Sequence, residues 1–478
     1  GLDKAWTSVA SFERIYAEGL YARRIFPPEF EEGRKVSGAA GGTVLEPASG
    51  MFSNVAVFDF RSLYPSVMRT FNIDPHAYER ALRLPRETGG SAESSAEHAA
   101  DQTIAAPNGA RFVRERGVLP ELIDDWFGER IAAIERGDDG AAFVYKILMN
   151  SFYGVLGTPS CRYARTELAG AITSFGKMCL HFARDFFTER GYRVLYGDTD
   201  SVFVELERAG EAGGEASAET AGESAGEAPA DTSVETAAQV RAHPAFEPER
   251  LERLADELNR ELSVHIREKW DCESHIGIRF EKLYTRFFIP RLRSAEADGE
   301  DAGRGRAKGY AGMLAARDGA EAEVEIKGME AARSDYVPLT RRFQRELLRR
   351  IFASDSTAEA SAYIRSILEQ LYGGELDGEL VFKKRLARTP ESYSANTPPH
   401  VRVAKALGWK NRRGTVEYLI TLNGAEAAGR ETAPIDYAWY AHNQLLPLSR
   451  SAALAAGFDA DSIFSSIHPD GQIEFDYG

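Results

Sequence analysis

Arg193-Val194-Leu195-Tyr196-Gly197-Asp198-Thr199-Asp200-Ser201-Val202-Phe203-Val204 decides how the rest of this chain is read. β-Branched and aromatic residues flank Gly-Asp-Thr-Asp, the pattern of two strands joined by a tight turn. The tip of that hairpin brings Asp198 and Asp200 close together. Two carboxylates ~4 Å apart at an effective dielectric of ~20 repel by roughly 4 kcal/mol, and a bound cation turns that repulsion into ligation. Asp59 closes another apolar strand, Val55-Ala56-Val57-Phe58. Three hard oxygen donors with no Cys or His beside them suit magnesium and fit zinc poorly. An isolated Asp-x-Asp is more often only a solvated turn, but two other segments argue against that here.

After Asp59 the period of the sequence changes, and Ser62 is placed to cap a helix running through Val67, Met68 and Phe71. Pro65 then falls in the first turn, where its missing N–H costs little. The free N–H groups of Ser62, Leu63 and Tyr64 would point outward beside the metal and offer a site for a triphosphate. An ordinary capped helix start with a half-buried Tyr is the plainer alternative for this segment alone.

The third segment is Lys146-x-x-x-Asn150-Ser151-x-Tyr153-Gly154. Its spacings of four and three residues put Lys146, Asn150 and Tyr153 on one helix face, with Ile147, Leu148 and Val155 on another. A Lys there neutralises phosphate and can protonate a pyrophosphate leaving group, while Tyr followed by Gly gives a flat surface with close backbone approach. Upstream, Leu119-Pro120-Glu121 opens a helix carrying Arg130, and Glu135-Arg136-Gly137-Asp138-Asp139-Gly140 is a polar turn. An antiparallel helical pair bearing Arg130 and Lys146 follows.

Together these segments resemble the three polymerase motifs of family B DNA polymerases, its bacterial branch above all. The resemblance covers nearly the whole chain. It extends to Gly41-Gly42, Lys308-x-Tyr310-Ala311-Gly312, Lys327-Gly328-x-Glu330-x-x-Arg333-x-Asp335 and Pro398-Pro399-His400-Val401-Arg402. It implies an α+β right-hand polymerase with an antiparallel-sheet palm, a helical-hairpin fingers element and a mostly helical thumb. The expected boundaries are palm 1–117, fingers 118–156, palm again 157–345 and thumb 346–478.

The resemblance also implies roles. Asp59 and Asp198 match the carboxylates that hold two Mg2+ ions, for which Mn2+ can substitute, with the Phe60 carbonyl as a further ligand and Asp200 as a more variable one. One ion activates the primer 3′-hydroxyl and the other holds the triphosphate. Tyr64 matches the steric gate against a 2′-hydroxyl, so deoxynucleoside triphosphates are the expected substrates. Arg130, Lys146 and Asn150 match nucleotide contacts, joined by Ser62 and Leu63, with Lys146 also among the catalytic positions. Tyr153, Gly154 and Thr199 match positions against the nascent base pair and its DNA, and Lys308, Tyr310 and Lys327 positions along the growing duplex.

Two departures bear on binding strength. Ile134 stands where the family usually carries a fingers Lys, and Ala307-Lys308-Gly309-Tyr310 stands where many relatives have Lys-Lys-Arg-Tyr. Each phosphate left unneutralised flattens the salt dependence of duplex binding by a slope of roughly 0.9. Arg61 occupies a variable position to which no role is assigned.

The formal net charge of −15 looks wrong for a DNA binder until its location is read. Glu211, Glu215, Glu219, Glu223, Glu227, Asp231 and Glu235 recur every fourth residue in a stretch, 209–239, of Ala, Gly, Ser and Thr without Lys or Arg. That composition reads as a disordered acidic insertion in the palm. Segments 87–110 and 294–306 read as further loop insertions. Between Val381 and Arg413, by contrast, Lys and Arg face a single acid, Glu391. Arg385 and Arg402 with Tyr393 and His400 interleaved suit the duplex backbone, and the resemblance to the family's thumb favours that over a merely solvated face.

A chain of 478 residues implies about three domains at ~150 each. It has no membrane-spanning stretch and no secretory signal, and Cys161, Cys179 and Cys272 read as free thiols of a reducing cytoplasm. The expectation is a nucleoid-associated monomer working on primer–template DNA. A sliding clamp is a partner by resemblance alone, since Gln472–Gly478 makes a poor clamp motif. Relatives carry an exonuclease ahead of the palm, for which the first fifty residues leave no room. Gly1-Leu2-Asp3 without an initiating Met reads as the start of a fragment. The competing readings are a catalytically idle DNA-binding homologue, opposed by the presence of all three acids, and an RNA-synthesising palm enzyme, opposed by Tyr64.

Overall fold

The computed structural model describes residues 8–30, 36, 42–84, 102–206, 247–292, 304–315, 323–354, 356–393 and 397–467. The acidic stretch 209–239 lies outside them. The chain divides into two compact units, the first with described residues from 1–45, 56–210 and 244–282, the second from 46–55 and 283–478.

In the first unit, α1 (Ser8–Ala22) buries Phe12, Tyr16 and Leu20, a stripe repeating every four residues. β1 (Val44–Leu45), the end of β2 (Gly50–Phe60), β5 (Arg193–Asp198), β6 (Ser201–Glu205) and the start of β7 (Ile278–Ile289) align in the order β1-β5-β6-β2-β7. Residues 55–58 of β2 are buried at every position, so both faces of that strand are covered. Phe58 packs on Phe187 with ring centroids 4.7 Å apart. The expected hairpin forms: β5 and β6 are antiparallel, with Gly197 opposite Val202 and Asp198 opposite Ser201.

Six further helices are found among the described residues of this unit: α2 (Leu63–Thr70), α3 (Pro75–Leu82), α4 (Val118–Glu135), α5 (Asp139–Leu156), α6 (Thr166–Glu189) and α7 (Pro248–Trp270). α4 and α5 are joined by the expected polar turn, closed by Asp138 N–H to the Ala133 carbonyl at 2.8 Å. The Asp138 side chain caps α5 at the Ala141 N–H, 2.9 Å away.

The spacing puts Ile147 on a different face of α5 from Lys146 without fixing its burial; it is half exposed, as are Val144 and Phe143. The inward face is set by Met149 and Phe152, whose ring meets Phe12 at 4.7 Å and Trp126 at 4.9 Å, and Ile147 is rotated away from both. One expectation changes: segment 87–110 is not loop throughout, because β3 (Thr103–Ala105) pairs antiparallel with β4 (Arg111–Val113) around Pro107-Asn108-Gly109.

Asp74 carries a buried polar junction of this unit. It is 0% exposed and accepts from the Tyr16 hydroxyl at 2.9 Å, the Ala77 N–H at 2.8 Å and the Leu119 N–H at 2.9 Å, tying α1, α3 and α4 together. Removing one partner of a buried charge-assisted network costs about 3–5 kcal/mol. Asp74→Ala is therefore expected to lower the denaturant midpoint sharply, whereas the exposed-surface control Glu18→Ala should leave it within error.

In the second unit, β2 and β7 contribute residues 50–55 and 283–289, followed by β8 (Tyr310–Leu314) and β9 (Val324–Lys327) in the order β2-β7-β8-β9. Tyr310 lies opposite Lys327. α8 (Pro338–Ala353) and α9 (Thr357–Tyr372) pack through Phe343 and Tyr363, rings stacked at 5.7 Å. β10 (Phe382–Arg385), β11 (Thr415–Thr421) and β12 (Gly424–Ala427) form a three-stranded antiparallel sheet beside α10 (Pro399–Ala406). The helices near the end of the described residues include α11 (Leu446–Ala456) and α12 (Ala460–Ser465). Tyr440 is fully buried; its hydroxyl donates to the Leu380 carbonyl at 2.8 Å and accepts from the Ile420 N–H at 2.9 Å.

The three cysteines are free and buried. No helix among the described residues is long and apolar enough to cross a membrane.

Candidate active site

The strand-to-helix junction after Asp59 is held from two sides. Phe60 N–H donates to the Asp200 carbonyl and Arg61 N–H to the Gly277 carbonyl, each at 2.8 Å. These bonds bring together the β2 end, the β5–β6 turn and the start of β7, which lie far apart in sequence. The Ser201 hydroxyl donates to Asp59 Oδ2 at 2.9 Å.

Ser62 does not cap α2 as the sequence suggests. Its backbone is left-handed, with φ 49° and ψ 52°, and its side chain makes no capping bond. A capping hydroxyl reaches the second or third helical N–H from extended backbone, and the third residue here is Pro65, which has none. The helix start is therefore bare: among the described residues, the N–H groups of Ser62, Leu63 and Tyr64 have no partner. That leaves three donors beside Asp59, as a phosphate would require.

The hairpin tip is equally constrained. Thr199 is β-branched yet has φ 59°, a conformation such residues rarely adopt. Its N–H donates to the Thr43 carbonyl at 2.9 Å, and a Cβ on Gly42 would lie 2.3 Å from Thr199 Oγ1, so only glycine fits there. Strain of this kind persists where surroundings over-determine it.

A cavity of about 740 Å³ opens over these elements. Its walls include Asp59, Asp200 and the run from Phe60 to Tyr64, together with Arg130, Lys146 and Asn150 from the helical pair. Residues that the sequence places in four separate segments thus share one space. Tyr153 stands beside it, its ring 4.5 Å from that of Tyr64 and inclined by 45°. Arg130 presents a buried Nε with no hydrogen-bond partner, a polar atom that an anionic ligand would satisfy.

Burial raises the Asp59 carboxyl above its ordinary range, opposed by the Ser201 hydrogen bond. Asp200 is pushed up to about 6 by burial first and then by the charges of Asp59 and Asp198. Burial, followed by Tyr153 and the two acids of the turn, raises the Tyr64 hydroxyl to about 12, so it is neutral in the physiological range. Asp198 has turned to its own hairpin, accepting from the Tyr196 hydroxyl at 3.2 Å and the Thr199 hydroxyl at 3.0 Å. Among the described residues, no three acidic, His or Cys side chains are grouped as a ready metal cage. The cavity's donors nevertheless fit a hard divalent ion: they include the carboxylates of Asp59 and Asp200, whose mutual repulsion such an ion would relieve.

A stability test follows with a definite sign. An acid whose folded pKa lies above its unfolded value penalises the fold once ionised; the penalty sets in as pH rises from about 4 to about 6 and is complete above that. Asp200→Asn is expected to raise the melting temperature of the metal-free protein at pH 8, to give no gain at pH 4, and to give less at pH 8 once Mg2+ is added.

Sequence reasoning missed several wall residues. Arg61, left without a role, lines the cavity, as do Phe127, Ile131 and Ile134 of α4 and Arg279 and Glu281 of β7. A signal for the last two existed: in Ile278-Arg279-Phe280-Glu281 the charges alternate, which places both on one face of a strand.

The residues expected against duplex DNA lie in the second unit. Tyr310 is on β8, its ring 5.3 Å from Phe287, and Lys327 on β9 pairs with Glu325 at 2.9 Å. Lys308 has φ 61°. In the basic stripe, Lys384 is bound by Asp335 at 3.0 Å and Lys383 by Glu417 at 3.0 Å, while Arg385 and Arg402 have no ion pair among the described residues. Tyr393 accepts at its carbonyl from Lys405 Nζ, 3.3 Å away. Burial, then the nearby Lys384 charge, lowers the His400 pKa.

Comparison with known proteins agrees with this architecture. The family model described as DNA polymerase family B matches residues 18–221 and 306–444. DNA polymerase II of Escherichia coli strain K12 is 32% identical over 94% of the chain and 51% of its own length. A DNA polymerase of Thermococcus gorgonarius is 27% identical over 91% and 50%, respectively. Among solved structures, the family B DNA polymerase of the archaeon Pyrobaculum calidifontis is similar with a TM-score of 0.58 at 23% identity, over 95% of the chain and 51% of its own. The chain spans about half the length of the curated relatives it matches.

Proposed function

Because the chain belongs to DNA polymerase family B, we propose that it is a DNA-templated DNA polymerase that adds deoxynucleoside triphosphates to a primer 3′ end. The observation that carries this reading is the single cavity shared by Asp59, Asp200, the uncapped start of α2, Arg130 and Lys146. In it, Asp59, Asp200 and the Phe60 carbonyl, with Asp198 if its side chain turns from Tyr196, would hold two Mg2+ ions. When bound, such ions lower the pKa of the attacking hydroxyl and offset charge on the phosphates.

The chain's own groups then do the positioning. The N–H groups at 62–64 and the side chains of Arg130 and Lys146 hold the triphosphate, and Lys146 stands ready to protonate the leaving pyrophosphate. Asn150 orients the nucleotide, the Tyr64 ring stands under the sugar, and Tyr153 with Gly154 faces the base pair. Thr199 fixes the acidic turn against the primer terminus. On this reading α4–α5 is the fingers element (118–156), 1–117 and 157–345 form the palm, and 346–478 the thumb, where Arg385, Tyr393, His400 and Arg402 contact the duplex backbone together with Lys308, Tyr310 and Lys327 of the palm.

The test is extension of a labelled primer on a DNA template by the purified chain with Mg2+ and deoxynucleotides. Extension supports a self-sufficient polymerase module. A folded protein that binds primer–template without extending it would favour the idle homologue.

A further inference from the structure

The cavity over Asp59 has two kinds of wall. From the helices come Arg130 and Lys146, but also Ile131 and Ile134, each 55% exposed and offering nothing to a phosphate. From the strand side comes Arg279, the second residue of β7. The Arg61 N–H to Gly277 carbonyl bond sets the start of β7 beside the end of β2, so Arg279 enters at the level of Asp59, and its charge is felt there. Among the described residues no hydrogen bond or ion pair engages the Arg279 guanidinium, although Glu281 lies two positions along the same strand. An exposed Arg left uncommitted beside a carboxylate is a fork of donors aimed into the cavity.

We infer that Arg279 is a phosphate-binding residue of this site, supplying from the strand wall the cationic contact to a nucleoside triphosphate that Ile134 does not supply from the helical wall. The inference rests on the polymerase reading for the identity of the nucleotide, but not for the polyphosphate chemistry. An Arg in this place grips terminal phosphate oxygens with two N–H groups, whereas Arg130 and Lys146 reach them from the other wall. Since the contact is to the nucleotide's phosphates and not to DNA, its removal should change nucleotide affinity without changing DNA affinity.

Two titrations test this. With a dideoxy-terminated primer–template and Mg2+, so that no bond forms, Arg279→Ala is expected to weaken deoxynucleotide binding about tenfold while primer–template affinity stays within twofold. Arg279→Lys should keep part of the affinity, and adding Ile134→Lys to Arg279→Ala should restore most of it, which a loss through misfolding would not allow. Calorimetric titration of inorganic tripolyphosphate into the DNA-free chain with Mg2+ reads the same contact without DNA, and Arg279→Ala should weaken it by a similar factor. Unchanged affinity for both the nucleotide and tripolyphosphate, or an equal loss of primer–template affinity, would overturn the assignment. If the unsubstituted chain binds tripolyphosphate through Arg279 but forms no deoxynucleotide-dependent complex, the polymerase reading fails while the phosphate contact stands.

Discussion

Asp59→Asn is expected to reduce primer extension by roughly a thousandfold or more while leaving primer–template affinity nearly unchanged, since losing a metal-holding charge forfeits several kcal/mol of transition-state stabilisation. The substitution is nearly isosteric, and the Ser201 hydroxyl that donates to Asp59 Oδ2 can donate equally to an amide oxygen. Asp59 also lies on a strand whose preceding four residues are buried, so backbone position should survive. What changes is charge alone, in a place where burial already works against the ionised form. Single-turnover rates with a filter-binding measurement of DNA affinity separate the two quantities. Retained extension would remove Asp59 from the reaction and reopen the idle-scaffold reading. Asp198→Asn is the informative companion: its carboxylate now accepts from Tyr196 and Thr199, so an equal loss would mean that it leaves those partners when the site fills.

What the sequence makes legible here is what local pattern controls. The β5–β6 hairpin, the helical pair with its Asp138-capped turn, and the shared face of Lys146 and Asn150 follow from periodicity and turn chemistry, which act over a few residues. Ser62 escapes because capping depends on backbone conformation, and the bond from Arg61 N–H to Gly277 fixes that conformation from more than two hundred positions away. The exposure of Ile147 escapes because periodicity alone does not say which apolar face of a helix turns inward; Phe12 and Trp126 make that choice. Arg279 and Glu281 reach the cavity only through strand pairing, a non-local contact that no window of sequence contains. The remoteness of these partners also hides the site's charge balance from a local reading. The missing lysines alone suggest weak phosphate binding, whereas Arg61 and Arg279 return two cations to the cavity walls.

Tyr64→Ala should raise ribonucleotide incorporation relative to deoxynucleotide by roughly a hundredfold, the range reached when a single steric contact decides between two substrates. The ring is held rather than free to swing. Tyr153 packs against it at 4.5 Å, and Gly176 lies so close that a Cβ there would sit 3.1 Å from Tyr64 Cε1. A gate works only if it cannot recoil, and these two neighbours block the ring's retreat on their sides. Its hydroxyl, raised to about 12, stays neutral and contributes shape, not charge, at neutral pH. Tyr64→Phe should therefore discriminate much as the parent does, while Gly176→Ala, by pressing on the ring from behind, should alter deoxynucleotide KM more than the ribonucleotide ratio. Competing incorporation of one ribonucleotide against its deoxy counterpart on a homopolymeric template measures all three. A Tyr64→Ala protein that discriminates as well as its parent would place the sugar elsewhere in the cavity and withdraw Tyr64 from the gate.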